Sequence, residues 1–350
     1  MVRLPHTPTS YLRNVHMPRM NNRGQQSSDS RASPSCLSRV FHACLFRICL
    51  LLWTLGSFPA FSAPLNVTVV VSDDSAPYAE IADYIASDLK QNGAGRSRTI
   101  GAEALARMDR SGTDVVVAVG LKATQAVAAM DLRAPVISTL IPKASFEKIA
   151  RQLKNKPNQQ YFSAVYLDQP VARQLELMCL VLPDKKRVGV ILGPTSEGLL
   201  ESLQTETRAR GMQLHAVHIG SEAELFPALQ NLFNEADVLL SLPDPLVFSA
   251  QTIQSVLFTS YRFQIPVIGF SPAYVRAGAL IAVHSTPVQL ARQVMEMLHR
   301  FASGTSSLPP PQYPEYFSVT VNRQVARSLG FTIGEEEKLA TQLEARRLGP

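Results

Sequence analysis

The sequence predicts an α/β protein of two lobes, each built on a parallel sheet, and three observations predict it. Short Val- and Ile-rich runs alternate with amphipathic helical stretches from Val67 onward, as parallel sheets covered on both faces require. A length of 350 residues suffices for two domains of ordinary size. Residues 161–194 read strand, helix, strand in the middle of this pattern and mark where the chain leaves one lobe and starts the next.

Within that central stretch, 161–166 is aromatic and β-branched without charge, the composition of a buried strand. Val171, Leu175, Met178 and Leu182 then repeat at three and four residues, which predicts a helix over 169–182. A strand over 187–192 stops at Gly193-Pro194. Before it, strands are predicted at 67–71, 114–120 and 135–139. Helices are predicted at 77–91, where Ile81, Ile85 and Leu89 repeat every four residues, and at 102–108, 122–130 and 145–153. After it come strands at 213–218, 238–242 and 267–270, with helices at 197–210, 223–235 and 246–261. A strand at 279–283 and a strongly amphipathic helix at 288–301 follow. The proline-rich stretch 303–311 is a stiff linker, ahead of a strand at 317–321 and helices at 323–329 and 335–347.

The formal charge of +6 is confined to residues 1–62, which carry seven arginines, no lysine and one acid, Asp29. The chain beyond is electrically neutral, so no nucleic-acid partner is expected. The same leader has the parts of a secretory signal: charge ending at Arg47, an apolar run over 48–53, and small residues over 56–63. Ala60-Phe61-Ser62 fits the small-x-small rule and places the cut after Ser62, which predicts a periplasmic protein. The apolar run is far short of the ~20 residues a spanning helix needs. Cys179 is the one cysteine beyond the leader and sits on the apolar side of a helix, so it reads as a buried, inert thiol.

In open parallel sheets a ligand meets the carboxyl ends of the strands. Here those ends are 72–75, 120–124 and 138–139 in the first lobe, and 193–196, 243–245 and 271–274 in the second. Small hydroxyls and glycines dominate both sets. Helix N-termini carrying Ser and Thr take up anions such as a carboxylate, and Asp244 suits an ammonium, so an amino acid or a similar small zwitterion fits. The expected contacts are Ser75, Thr124 and Thr139 from the first lobe, with Thr195, Ser196, Asp244 and Tyr274 from the second. Each hydroxyl has capping of its own helix as the alternative role.

Catalytic and metal signatures are missing. Residues 193–198 lack the lysine of a phosphate-binding loop, and Pro272 would remove the oxyanion N–H after Ser271. His215 and His218 lie three apart on a strand and so face opposite sides, which argues against joint metal binding. No cofactor is expected.

Three stretches carry a family resemblance. Residues 116–126, with Gly120 ahead of Ala123-Thr124-Gln125-Ala126, are the first, and residues 174–190, with Leu182-Pro183 and Lys186-Arg187-Val188-Gly189-Val190, are the second. The third is 319–330, with Val321-Asn322 and Leu329-Gly330. Together they resemble the ABC-type substrate-binding proteins of the uncharacterised transport group, whose best-understood relatives bind aromatic amino acids. The resemblance covers roughly Asn66 to Thr332, and the chain departs from the pattern at Ile141-Pro142-Lys143 and at 158–163. It implies a type I periplasmic binding protein-like fold: two Rossmann-like lobes joined by a multi-strand hinge. It also implies a discontinuous division, with 63–162 and 279–305 in lobe one and 163–278 and 306–350 in lobe two, crossing near Ser163, Leu280 and Leu308.

The expectation is a non-enzymatic receptor that traps a small polar molecule between its lobes and hands it to an ABC permease in the inner membrane. Two other readings use the same cleft. In one, closure feeds a periplasmic signalling protein. In the other, catalytic groups such as Asp244 and Lys122 converge there in a two-lobed enzyme.

Overall fold

The run Leu65–Val71 forms β1, buried on both faces except at Asn66. In the computed structural model, which describes residues 64–107, 111–153, 161–304 and 307–347, it lies inside a five-stranded parallel sheet. The signal-peptide reading of 1–62 lies outside the described residues. α1 (Ala76–Gln91) follows, and its predicted stripe of Ile81, Ile85 and Leu89 is buried. The sheet continues through β2 (Gly95–Gly101), β3 (Val115–Val119), β4 (Val136–Ile141) and β5 (Phe162–Tyr166), in the order β2-β1-β3-β4-β5. α2 (Leu121–Ala129) and α3 (Lys143–Gln152) link β3 to β4 and β4 to β5.

β2 has no counterpart in the sequence reading. Its residues, Gly95-Arg96-Ser97-Arg98-Thr99-Ile100-Gly101, lack an apolar run because they form an edge, paired along their whole length with β1 on one side only. Arg98 ties this edge inward, donating to Thr68 Oγ1 at 3.0 Å and Thr113 Oγ1 at 2.8 Å.

α4 (Val171–Val181) carries the chain to a second sheet and buries Val171, Leu175 and Met178 against it. This sheet is β11-β10-β9-β8-β6-β7, formed by β6 (Arg187–Leu192), β7 (Gln213–His218), β8 (Val238–Leu240), β9 (Val267–Gly269), β10 (Ile281–His284) and β11 (Ser318–Val321). All its pairings are parallel except β10 with β11. Its helices are α5 (Leu200–Ala209), α6 (Leu225–Glu235), α7 (Ile253–Arg262), α8 (Pro272–Ala277), α10 (Arg323–Ser328) and α11 (Glu336–Arg347). The predicted helix over 246–261 begins only at Ile253. The residues before it are held in turns, where Thr252 Oγ1 donates to the Val247 oxygen at 2.9 Å and accepts from the Ser249 amide at 2.8 Å.

One strand lies elsewhere than expected. The strand predicted at 279–283 was assigned to the first lobe, but β10 sits in the second sheet between β9 and β11. The helix after it, α9 (Pro287–Ala302), does return to the first sheet, where Leu290, Val294 and Leu298 join Val69 and Ile85 in one core. Apolar periodicity identifies a strand and a helix but not which sheet each joins. The crossing falls between the two elements, at Ser285-Thr286, where Thr286 caps α9 with a reciprocal Gln289 bond. The chain therefore passes between the sheets three times: after β5, after β10 and again between α9 and β11.

At the carboxyl end of the first sheet, Gly120 has φ 90 and lies under Ser72 and Tyr78. A Cβ there would stand 2.5 Å from both Ser72 Oγ and Tyr78 Cε1, in a backbone region costly to other residues. Gly120→Ala is expected to cost about 2–3 kcal/mol in denaturant unfolding, from strain plus displacement of Ser72. An unchanged midpoint would contradict this account of the β3–α2 turn.

Candidate functional site

The three crossings are tied to one another by side chains. Gln169, after β5, donates through Nε2 to Ser285 Oγ at 2.8 Å, after β10. Ser285 Oγ in turn donates to the backbone oxygen of Tyr316, on the third crossing, at 2.6 Å. Arg173 binds both Gln169 Oε1 (2.5 Å) and the Pro314 oxygen (2.9 Å). Gln169 and Ser285 are buried, so breaking this chain would leave polar atoms without water. The hinge is a hydrogen-bonded unit that fixes where the lobes face each other.

In that gap lie two adjoining cavities of about 120 and 170 Å³, which share Pro142, Asp168, Gln169, Gln174 and Pro243 as walls. The first lobe contributes the start of α3, with Lys143 and Glu147. The second contributes Thr195, Leu199 and Pro243, while Phe270 and Ser271 close the inner cavity. Larger grooves elsewhere, between α2 and α3 and between β11 and α11, are each confined to one lobe. The cavities with walls from both sheets are the ones placed to sense lobe closure.

The polar groups of these walls have definite states. The Lys143 amide, the first N–H of α3, donates to Asp168 Oδ2. Burial raises the Asp168 carboxyl above its usual range, and the Lys143 amide only partly offsets this. Burial works against the charge on Lys143. Its hydrogen bond to Tyr313 Oη (3.2 Å), together with Tyr313, Glu147 and Asp168, outweighs that and holds the ammonium above its usual value. Lys143 Nζ also lies 3.8 Å from Glu147 Oε1. Tyr166 is pushed to about 12 by burial and packs edge-on against Phe146 and Tyr313. Burial lowers His284, beside the inner cavity, so it is neutral at pH 7. Gln174 is 3% exposed and donates through Nε2 to the Gln169 oxygen at 3.1 Å, while its Oε1 has no partner among the described residues.

A raised carboxyl has a stability consequence. The native state binds a proton at Asp168 more tightly than the unfolded chain does, so the stability contributed at this position is full below the unfolded value and is lost as pH rises from there through the raised folded value. Ionising Asp168 is therefore a cost to the fold, a common property of groups kept for binding.

The residues chosen from sequence are distributed unevenly around this site. Thr195 lines the first cavity. Ser196 and Asp244 lie beside it but are engaged inside the second lobe. Asp244 Oδ2 accepts from the amides of Thr195 (3.0 Å) and Ser196 (2.9 Å) and from Ser196 Oγ (2.8 Å), and Oδ1 accepts from the Leu246 amide at 3.0 Å. The loop amides read as a seat for a ligand carboxylate thus hold the protein's own carboxylate, and Asp244 is not free to receive an ammonium. Gly193 makes this approach possible, since a Cβ there would lie 2.5 Å from Asp244 Oδ1. Thr124 Oγ1 donates to the Gly120 oxygen at 2.8 Å, the capping role weighed against ligand contact. Thr139 is fully buried and its hydroxyl has no partner among the described residues, and Ser75 is exposed at the start of α1. Tyr274 donates its hydroxyl to the Phe248 oxygen and packs against Phe270, with ring centroids 4.3 Å apart. Neither cavity is lined by Ser75, Thr124, Thr139 or Tyr274.

Sequence reading missed Asp168, Gln169, Gln174, Tyr313 and Ser285. Lys143 was visible only as part of the Ile141-Pro142-Lys143 departure. The signal for the others was position: each lies on a crossing or at its edge, and the crossings were placed four to five residues too early for the first two.

Two α/β lobes, three crossings and a cavity walled from both sides define a binding protein of the type I periplasmic fold. Residues 79–343 match the model of the family described as ABC transporter substrate binding protein, and the chain belongs to that family. It is a substrate-binding protein and not an enzyme. An ABC domain in complex with L-Trp from Streptococcus pneumonia is similar in structure, with 18% identity over 78% of this chain and 97% of that one and a TM-score of 0.55. The ligand-free, open structure of a substrate-binding protein with adhesive properties from Clostridium difficile is also similar, again 18% identical over 78% and 97%, with a TM-score of 0.64. A conserved domain protein from Vibrio cholerae is 21% identical over 81% and 98%, with a TM-score of 0.55. At these identities the likeness establishes the fold. No curated protein is significantly similar to the chain in sequence.

Because Asp244 organises two loops through four hydrogen bonds, Asp244→Ala strands three backbone amides, those of Thr195, Ser196 and Leu246, at once. The expected loss is about 3 kcal/mol in denaturant unfolding, with Asp244→Asn milder. A fully stable Asp244→Ala protein that lost only ligand affinity would instead return Asp244 to the role read from sequence.

Proposed function

We propose that this chain is the periplasmic solute-binding component of an ABC-type importer. It is exported with cleavage after Ser62 and captures a small polar ligand, an amino acid among the candidates, in the cleft between its lobes. Closure about the Gln169–Ser285–Tyr316 tie brings Thr195 and Leu199 toward Lys143 and Asp168, and the closed form is the one a membrane permease would recognise. Thr195 is the contact retained from the sequence reading, joined by Asp168 and Gln174. Family membership supports the substrate-binding role, and the secretory leader supports export.

One observation carries the reading: Gln174, which lines both cavities between the lobes, has a buried carbonyl oxygen, Oε1, without a hydrogen-bond partner among the described residues. Buried acceptors without partners are uncommon, and one on a residue that lines a cavity between movable lobes marks a place for a ligand donor.

A thermal-shift screen of the chain from Ala63, against amino acids, nucleosides, sugars and small carboxylates, tests this. A ligand present at 100 times its Kd is expected to add about 2.7 kcal/mol of stability. No stabilisation by any class, at concentrations up to millimolar, would contradict the capture reading.

A further inference from the structure

The cleft's charges are unbalanced in one direction. Its ionisable walls are Lys143, Glu147, Asp168 and His284. Lys143 is internally engaged by Tyr313 Oη and by Glu147, so the one cation present already faces an anion. Asp168 accepts hydrogen bonds from backbone amides alone, that of Lys143 and its own, and the Lys143 charge acts on it without an ion pair; among the described residues its carboxylate meets no side-chain cation at ion-pair distance. Beside it, Gln174 offers a carbonyl whose direction is settled: turning the amide over would set Oε1 against the Gln169 oxygen that Nε2 now binds. Both residues line the same two cavities, and each carries an acceptor oxygen with bonding capacity to spare. The loop amides of the second lobe that would suit an anion are filled by Asp244. The remaining walls are largely apolar, among them Leu199, Pro243, Phe270 and Tyr313.

We infer that the ligand of this cleft is an amine, a cationic ammonium or amidinium nitrogen on an apolar body, with the nitrogen held by Asp168 and Gln174 Oε1 and with no carboxylate required. This rests on the capture reading and gives it a substrate class. Bringing a cation into the cavity restores a partner to a carboxylate that burial disfavours, and it satisfies the orphaned carbonyl in the same step. An anionic ligand would instead face Asp168 and Glu147 in a partly desolvated space.

The test is isothermal titration of the chain from Ala63 with matched probes that differ only in their charged groups. One set is phenethylamine, L-phenylalanine and 3-phenylpropanoate, and a second is tryptamine, L-tryptophan and indole-3-propanoate. In at least one set the amine and the amino acid are expected to bind, with the acid weaker by about 30-fold or more. Asp168→Asn is expected to weaken the amine by a similar factor and Gln174→Leu by about tenfold. Asp168→Asn keeps an acceptor for the Lys143 amide, so its melting temperature should equal or exceed that of the parent. This separates lost binding from lost folding.

Equal binding of acid and amine overturns the inference, as does full amine affinity in a folded Asp168→Asn protein, and the capture reading then stands. Binding confined to anionic or neutral compounds in the wider screen also overturns it. Failure of every compound class overturns the capture reading itself.

Discussion

The Gln169–Ser285–Tyr316 chain of hydrogen bonds is the constraint on which the rest of this structure depends. Each residue belongs to a different passage of the backbone between the two sheets, and each bond is short, between 2.6 and 2.8 Å. Were the passages independent, the lobes would have no fixed register and the cavity between them no fixed walls. Because they are linked, α4 and α9 leave the hinge in set directions and bring Gln174 and Asp168 to one place. A hinge of this kind allows rigid-body rotation while resisting sliding, which is what closure on a small molecule requires.

Within each lobe the groups that look most available are already committed. Asp244 gathers the loops after β6 and β8 so that Thr195 and Pro243 stand at the cleft, and it does so only because Gly193 leaves it room. Ser72 plays the corresponding part in the first lobe, donating to the Val119 oxygen at 2.9 Å and accepting from the Ala123 amide at 3.0 Å over Gly120. The strand ends are rigid platforms, and the adaptable chemistry sits instead where the lobes meet, on α3, the first passage and α4. Pocket walls drawn from the hinge couple occupancy to lobe geometry.

Most of the fold was legible in the sequence because it rests on apolar periodicity. The stripes Ile81/Ile85/Leu89 and Val171/Leu175/Met178 are buried as their spacing implied, and the Val-rich strands are interior. β2 was not legible, since an edge strand pairs through its backbone and needs no apolar run. The sheet joined by β10 was not legible either, because pairing partners are set by tertiary packing and not by local pattern. The site was harder to read. Ser, Thr and Asp at strand ends look alike whether they meet a ligand or a neighbouring amide, and Asp244 with its four internal donors shows how completely the second case can imitate the first. Asp168 and Gln174 gave no signal of a binding role: one precedes a helix and the other lies within it, and only their placement at the first crossing brings them to the cleft.

The most direct test is a crystal structure of the chain from Ala63 with a stabilising compound bound. The account predicts density for the compound between Lys143 and Asp168 on the first-lobe side and Gln174, Thr195 and Leu199 on the second, with the Gln169–Ser285–Tyr316 bonds intact. A compound seated on one lobe alone, or against Asp244 with its loop amides released, would contradict it.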